Sequence, residues 1–230
     1  MDNLKKKIFL TIKSNIFTLN VIGDDSKILF NEDLLHDDTE DYTISLNKFL
    51  DEKIFKVEKE FKFYIKDIHL IIEDKNFINF DLSLIKDFKN KFDKTNDILS
   101  EISNIKETIL KSNSDFQLIH MMINKFIIDG KNYLELPNIK TKKNFFLEVK
   151  FICFRIEKLI TIKKTLSKYQ IKIKKTFNYE YVKSFRKDNS EHISLVANKL
   201  DNGLNKNEIK FMEKNSKSIG FFEKFFKFFG

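Results

Sequence analysis

The chain has 230 residues, with 42 Lys or Arg against 34 Asp or Glu, a formal net charge of +8, and 42% of its residues are hydrophobic. That length and balance exclude a disordered tail and suit one ordinary domain or two small ones. A single cysteine, Cys153, excludes a disulfide framework and a Cys-ligated zinc site, while five glycines and one proline leave little room for a glycine-rich phosphate loop.

Met1–Leu10 sets three lysines ahead of an apolar stretch in the manner of a secretory leader. Lys13 interrupts that stretch and no small-residue cleavage site follows, so a first strand is expected instead. Nowhere do ~18 uncharged apolar residues run together, so no bilayer span is expected and the chain is placed in the cytoplasm. Residues 8–12 and 16–22 are short runs rich in Ile, Phe and Val that predict a buried hairpin. Eight acids against Lys27 then mark Asp24–Asp41, and eight bases against Glu157 mark Arg155–Lys175. These two stretches read as solvated faces of opposite sign, or alternatively as docking surfaces that attract each other.

Leu46, Leu50, Val57, Phe61 and Tyr64 recur at helical spacing and predict an amphipathic helix over 45–64. Strands follow at Ile65–Ile72 and Phe77–Phe80. A second helix is expected after Thr95-Asn96-Asp97, whose short polar side chains can cap free amides, with Ile98, Ile102, Ile105 and Ile109 as its stripe. Gln117–Ile128 is β-rich and ends on Asp129-Gly130, a pair suited to a tight turn, and Pro137-Asn138 marks another break. Asn144–Phe154 reads as the strongest strand, with Cys153 as an inert core thiol. A basic amphipathic helix over 156–169, a strand over Ile171–Phe177, a polar stretch from Lys183 and a helix near Ser190–Leu200 complete the body. Irregular alternation of strands and helices predicts an α+β or mixed α/β fold.

No nucleophile elbow, Walker loop or dinucleotide fingerprint is present, and Asp37-Asp38 lies in a charged loop without an apolar pocket. His36, His69, His120 and His192 are isolated, none with a second ligand at metal spacing, so neither metal nor cofactor nor enzymatic activity is expected.

The last segment is more telling. At ~100° per residue, Phe221, Phe222, Phe225, Phe226, Phe228 and Phe229 fall within a sector about 160° wide, opposite Glu223, Lys224 and Lys227. With Ile219, this face suits a helix lying in the plane of a membrane, its lysines meeting anionic lipid of the inner membrane. Each fully buried Phe contributes ~1.5–3 kcal/mol and each lysine near an anionic surface ~1 kcal/mol. The alternative is docking of this helix on its own domain or in a partner's groove.

Three stretches carry a family resemblance. Leu118-Ile-His-Met-Met-Ile-Asn-Lys-Phe-Ile-Ile-Asp-Gly130, Leu136-Pro137 and Phe146-Leu-Glu-Val-Lys-Phe-Ile152 form a histidine-containing strand, an aspartate-glycine turn, a proline break and a long strand. With the preceding helix and strand, over 45–64 and 65–72, and the amphipathic tail, this order resembles the bacterial actin-like cell-division protein FtsA, which tethers the tubulin-like FtsZ to the inner membrane. The resemblance implies a partial actin-like fold. Residues 1–82 and 156–187 would form the first actin-like subdomain and 83–155 an inserted strand-helix-strand-strand domain. A polar linker with a short helix would follow over 188–217, and the membrane-targeting helix over 218–230.

The departures from the family pattern are specific. Where the family's first phosphate loop has an acid, a glycine and a lysine, this chain has Thr11, Lys13 and Ile16, with Ser14 between them. Thr11 supplies no carboxylate, and Lys13 brings a β-carbon where the chain must approach phosphates closely. No second phosphate loop follows, and after Phe185 no residues match the family's second half, which carries its FtsZ-binding subdomain. The expectation is a nucleotide-free, non-catalytic FtsA-like division scaffold on the cytoplasmic membrane face. It would recruit FtsA-like or other division proteins and self-associate there, with FtsZ binding left open. The alternatives are a basic nucleic-acid-binding module and a degenerate division protein without function. Arg155 and Arg186 are the only arginines and no nucleic-acid motif is present, so no nucleic-acid partner is expected.

Overall fold

Leu10-Thr-Ile-Lys-Ser-Asn-Ile16 folds back on itself: Lys13 N–H donates to the Ile16 carbonyl at 3.0 Å and closes a hairpin between β1 (Lys7–Ile12) and β2 (Ile16–Ile22). The register runs antiparallel from Lys7↔Ile22 to Ile12↔Phe17, the hairpin expected from the two short apolar runs. This computed structural model describes residues 6–36, 41–86, 94–128, 130–135 and 145–209. The turn after β2 takes a positive φ of 59° at Ser26 and returns as β3 (Ile28–Leu35), antiparallel to β2. This strand, unforeseen in the acidic stretch, forms because Phe30 buries beside β2. Glu32 reaches Lys53 at 3.1 Å and Lys56 on the following helix.

Helix α1 (Tyr42–Phe61) starts earlier than 45 because the Asp41 carboxylate accepts the Thr43 N–H at 2.7 Å. Leu46, Phe49, Leu50, Ile54 and Val57 form its buried stripe. Its end at Lys62 is left-handed, φ 56°, and leads to β4 (Asp67–Ile72), parallel to β1. β5 (Phe77–Lys86) runs further than Phe80. α2 (Lys94–Ser112) begins before Thr95-Asn96-Asp97, so these residues lie inside its first turn rather than capping it; Ile102 is buried. β6 (Phe116–Ile128) and the short, unforeseen β7 (Lys131–Tyr133) pair antiparallel around Gly130, whose φ of 75° favours glycine. β8 (Phe145–Arg155) runs straight into α3 (Ile156–Ser167), followed by β9 (Lys172–Asn178) parallel to β4, α4 (Tyr179–Lys183) and α5 (Ile193–Asp201). Pro137, Asn138 and Asp129 lie outside the described residues.

The architecture is mixed α/β with two sheets, ordered β3-β2-β1-β4-β9 and β5-β8-β6-β7. The chain divides into two compact units, Met1–Ile78 with Ile152–Lys206, and Asn79–Phe151 with Asn207–Gly230. In the first unit, Phe9, Leu10, Leu19, Leu70, Leu159 and Phe177 make the centre of the core. Residues 188–206, expected as a linker, belong to this unit: Val196, Ala197 and Leu200 of α5 are fully buried, which no polar linker would allow. In the second unit, Met121, Ile123, Phe126, Leu147, Val149 and Phe151 bury, and Lys125 pairs across strands with Glu148 at 3.0 Å.

Candidate functional site

Because β1, β4 and β9 run parallel, their carboxyl ends open on one side of the first sheet, where open α/β sheets hold their ligands. A cleft of about 650 Å³ lies there, floored by Ile12, Ile72, Phe154 and Ile162. The turn after β1 puts Lys13 and Ser14 on its wall, and the first turn of α3 adds Lys158. Thr11 and Ile16, the other two residues of the loop expected from the sequence to be degenerate, do not line it. Thr11 is fully buried opposite Thr18 and Ile71, its hydroxyl without a hydrogen-bond partner among the described residues, and Ile16 pairs with Leu35.

Lys13 carries a β-carbon and a charged side chain where a glycine has neither. Its ammonium donates to the Tyr179 hydroxyl at 2.9 Å, lies 4.2 Å from the centre of that ring and 3.8 Å from Glu73. Across the cleft, Lys158 pairs with Asp74 at 2.6 Å. Burial pushes the Asp74 carboxyl up, but Lys158 and the Asn76 backbone and side-chain donors outweigh it and hold the group below its ordinary range. Burial, with the Asp74 charge beside it, pushes the Tyr42 phenol well above its usual value and keeps it neutral. Three bases (Lys13, Lys75, Lys158) face three acids (Glu73, Asp74, Glu180), so the lining carries no net positive field for a polyphosphate. None of the described glycines, Gly23, Gly130 and Gly203, lines the cleft.

Tyr42, Asp74, Lys158 and Tyr179 escaped the sequence reading. A faint signal existed: Asp74-Lys75-Asn76 is a polar cluster directly after a strand, and Asp74 Oδ1 accepts the Asn76 N–H at 2.7 Å in a side-chain-capped turn.

The histidines occupy structural positions. His69 stacks on Phe9, ring centres 4.8 Å apart, and lies 3.3 Å from Asp201; His36 stacks on Phe17 at 4.3 Å. The His192 ring accepts the Ser194 N–H at the start of α5, and His120 meets Glu208 at 2.8 Å. Among the described residues no group of three His, Cys, Asp or Glu side chains is placed to hold a metal. Cys153 is buried and its thiol is pushed up to about 11 by burial, which leaves it protonated and inert at neutral pH. The oppositely charged stretches find different partners: Glu32 takes the α1 lysines, while Lys158 takes Asp74 and Lys168 donates to Asn47 at 3.0 Å. The expected membrane residues Ile219, Phe221, Phe222, Lys224, Phe225, Phe226, Lys227, Phe228 and Phe229 lie outside the described residues. Among the described ones no helix is long and apolar enough to cross a membrane.

No protein-family model matches the chain, and no curated protein matches it. Among solved structures it is similar to the PilM–PilN type IV pilus biogenesis complex, at 10% identity and a TM-score of 0.50, over 77% of this chain and 48% of that one. It is similar to a Bacteroides thetaiotaomicron protein of actin-like ATPase fold and unknown function, at 9% identity and a TM-score of 0.35, over 80% and 58%. A third is the cytoplasmic domain of EpsL, an inner membrane component of the type II secretion system of Vibrio cholerae, at 6% identity and a TM-score of 0.38, over 80% and 59%. The chain thus spans about half the length of the first and less than two thirds of the others. At such identities the likeness shows fold alone, a mixed α/β architecture shared in part with the first of these structures.

Proposed function

We propose that this chain is a nucleotide-free, non-catalytic actin-like scaffold, held on the cytoplasmic face of the inner membrane by residues 218–230 and presenting its second unit to protein partners. The observation that carries this reading is the strand-end cleft, where Lys13 is folded onto Tyr179, none of the described glycines lines the wall and the charges balance. The finer form of the proposal is an FtsA-like division scaffold, supported by the stretches over 118–152 and by the Phe-rich tail. The similarity to the PilM–PilN complex favours a second form, a platform in a pilus-type assembly.

Membrane attachment is tested by sedimenting the full chain with phosphatidylglycerol vesicles. The wild type is expected to pellet, and Phe222→Glu with Phe226→Glu to lower the bound fraction at least about tenfold, since two partly buried rings at ~1.5–3 kcal/mol each are replaced by charges. Equal pelleting of both proteins would refute the tail as the anchor. A fluorescent fusion then separates the two forms: accumulation at midcell that is lost without residues 216–230 supports the division scaffold, and any other stable location supports the second.

A further inference from the structure

The residues after Lys206 make an isolated antiparallel bridge to the second sheet. Glu208 bridges antiparallel to Met122 of β6, with the Ile123 N–H donating to the Asn207 carbonyl at 3.0 Å and the Ile209 N–H to the Met121 carbonyl at 2.8 Å. The Asn207 side chain donates to the Leu134 carbonyl, just past β7, at 3.2 Å. Between them, Glu208 is only 4% exposed, and its carboxylate lies 2.8 Å from Nδ1 of His120, which is 1% exposed. An acid is placed so deep only where a partner holds it, and removing that partner leaves a buried charge uncompensated. Eight residues, 210–217, separate this point from the start of the Phe-rich tail, a reach of at most about 30 Å when fully extended.

We propose that Asn207–Ile209 is a strap, fastened by the His120–Glu208 pair, that ties the lipid-seeking tail to the second unit and couples lipid engagement to that unit's sheet. The coupling rests on the membrane reading above; the fastening does not. Strap release frees the chain beyond it, and a tail already ordered on lipid has less freedom to gain, so lipid binding holds the strap closed. By linkage, a weakened strap weakens lipid binding in turn.

Amide hydrogen exchange of the full chain tests this at Ile123 and Ile209, the donors of the two bridging bonds. In solution both are expected to be protected, and Glu208→Gln or His120→Gln to lower that protection at least tenfold while the amides of the β6–β7 pairing, from Phe126↔Tyr133 to Ile128↔Lys131, stay unchanged. That pairing thereby reports that the second unit of each variant still folds. On phosphatidylglycerol vesicles, protection of the wild type at both amides is expected to rise at least threefold. Amides that exchange like free peptide, or that ignore both substitutions, overturn the fastening. Protection unchanged by vesicles that do bind the protein overturns the coupling. A chain that never binds vesicles overturns the coupling together with the membrane reading, while protection sensitive to Glu208→Gln still upholds the fastening.

Discussion

At the end of β1, the Lys13 ammonium is held by the Tyr179 hydroxyl and ring, so protein fills the volume beside the turn. A second lysine, Lys7, does comparable work at the other end of the same strand. It donates to Asp201 at 2.6 Å and to Asn202 at 2.9 Å, tying β1 to the end of α5. Burial alone would push the Asp201 carboxyl up, but His69 and Lys7 hold it far below its usual range. A depressed folded value means that this stabilisation is complete above the unfolded value of about 3.9 and is lost as pH falls toward the folded one. The urea midpoint of the wild type is therefore expected to hold from pH 7 to about 5 and to drop below about 4. Asp201→Asn should cost about 1–2 kcal/mol at pH 7, discounted for partial exposure, and flatten that acid decline. Acid profiles of the two proteins that run parallel would refute the account. None of these partners was legible in the sequence, because Lys7 and Asp201 are 194 positions apart.

At the scale of elements, legibility followed the density and spacing of apolar residues. The β1–β2 hairpin, β6 and β8 were readable as runs rich in apolar, β-favouring residues, and α1 because its apolar residues recur at three-and-four positions. β3 was missed because Asn31, Glu32 and Asp33 split its apolar residues within an acidic stretch, and its pairing with β2 supplies what composition does not. α5 was expected, yet its role was misjudged: only nine residues long and set in a polar stretch, it places Val196, Ala197 and Leu200 fully in the core. Leu200→Ala should accordingly destabilise the protein by about 2–4 kcal/mol in urea unfolding, the cost of a core cavity. A loss under about 0.5 kcal/mol, typical of a surface position, would mean that α5 is not docked.

For the whole molecule, three parallel strand ends and a helix build a cleft in the position where open α/β sheets bind ligands, while its lining carries as many acids as bases. Phosphate sites need backbone amides that approach closely and a net positive field; on the proposed reading the Lys13 side chain opposes the first, and paired charges such as Lys158–Asp74 cancel the second. Titration of Mg-ATP into the full chain is expected to give no saturable heat up to millimolar concentrations, where −4.1 kcal/mol corresponds to a Kd of about 1 mM. Micromolar binding would overturn the nucleotide-free reading. Lys13→Gly is expected not to create such binding, since Glu73, Asp74 and Glu180 remain.

By itself, the order of residues determined the class of fold, the hairpin, the main helices and strands and the inert thiol. Each depends on neighbours within a few positions, where side-chain period and backbone preference act directly. Tertiary structure alone decided that α5 belongs to the first unit's core, that Thr11 is buried away from the cleft and that Lys13 is folded onto Tyr179. It also decided that Asp74 faces Lys158 and that Glu208 meets His120. Those outcomes depend on residues brought together from distant positions, and no local pattern encodes a meeting that exists only once the chain has closed on itself.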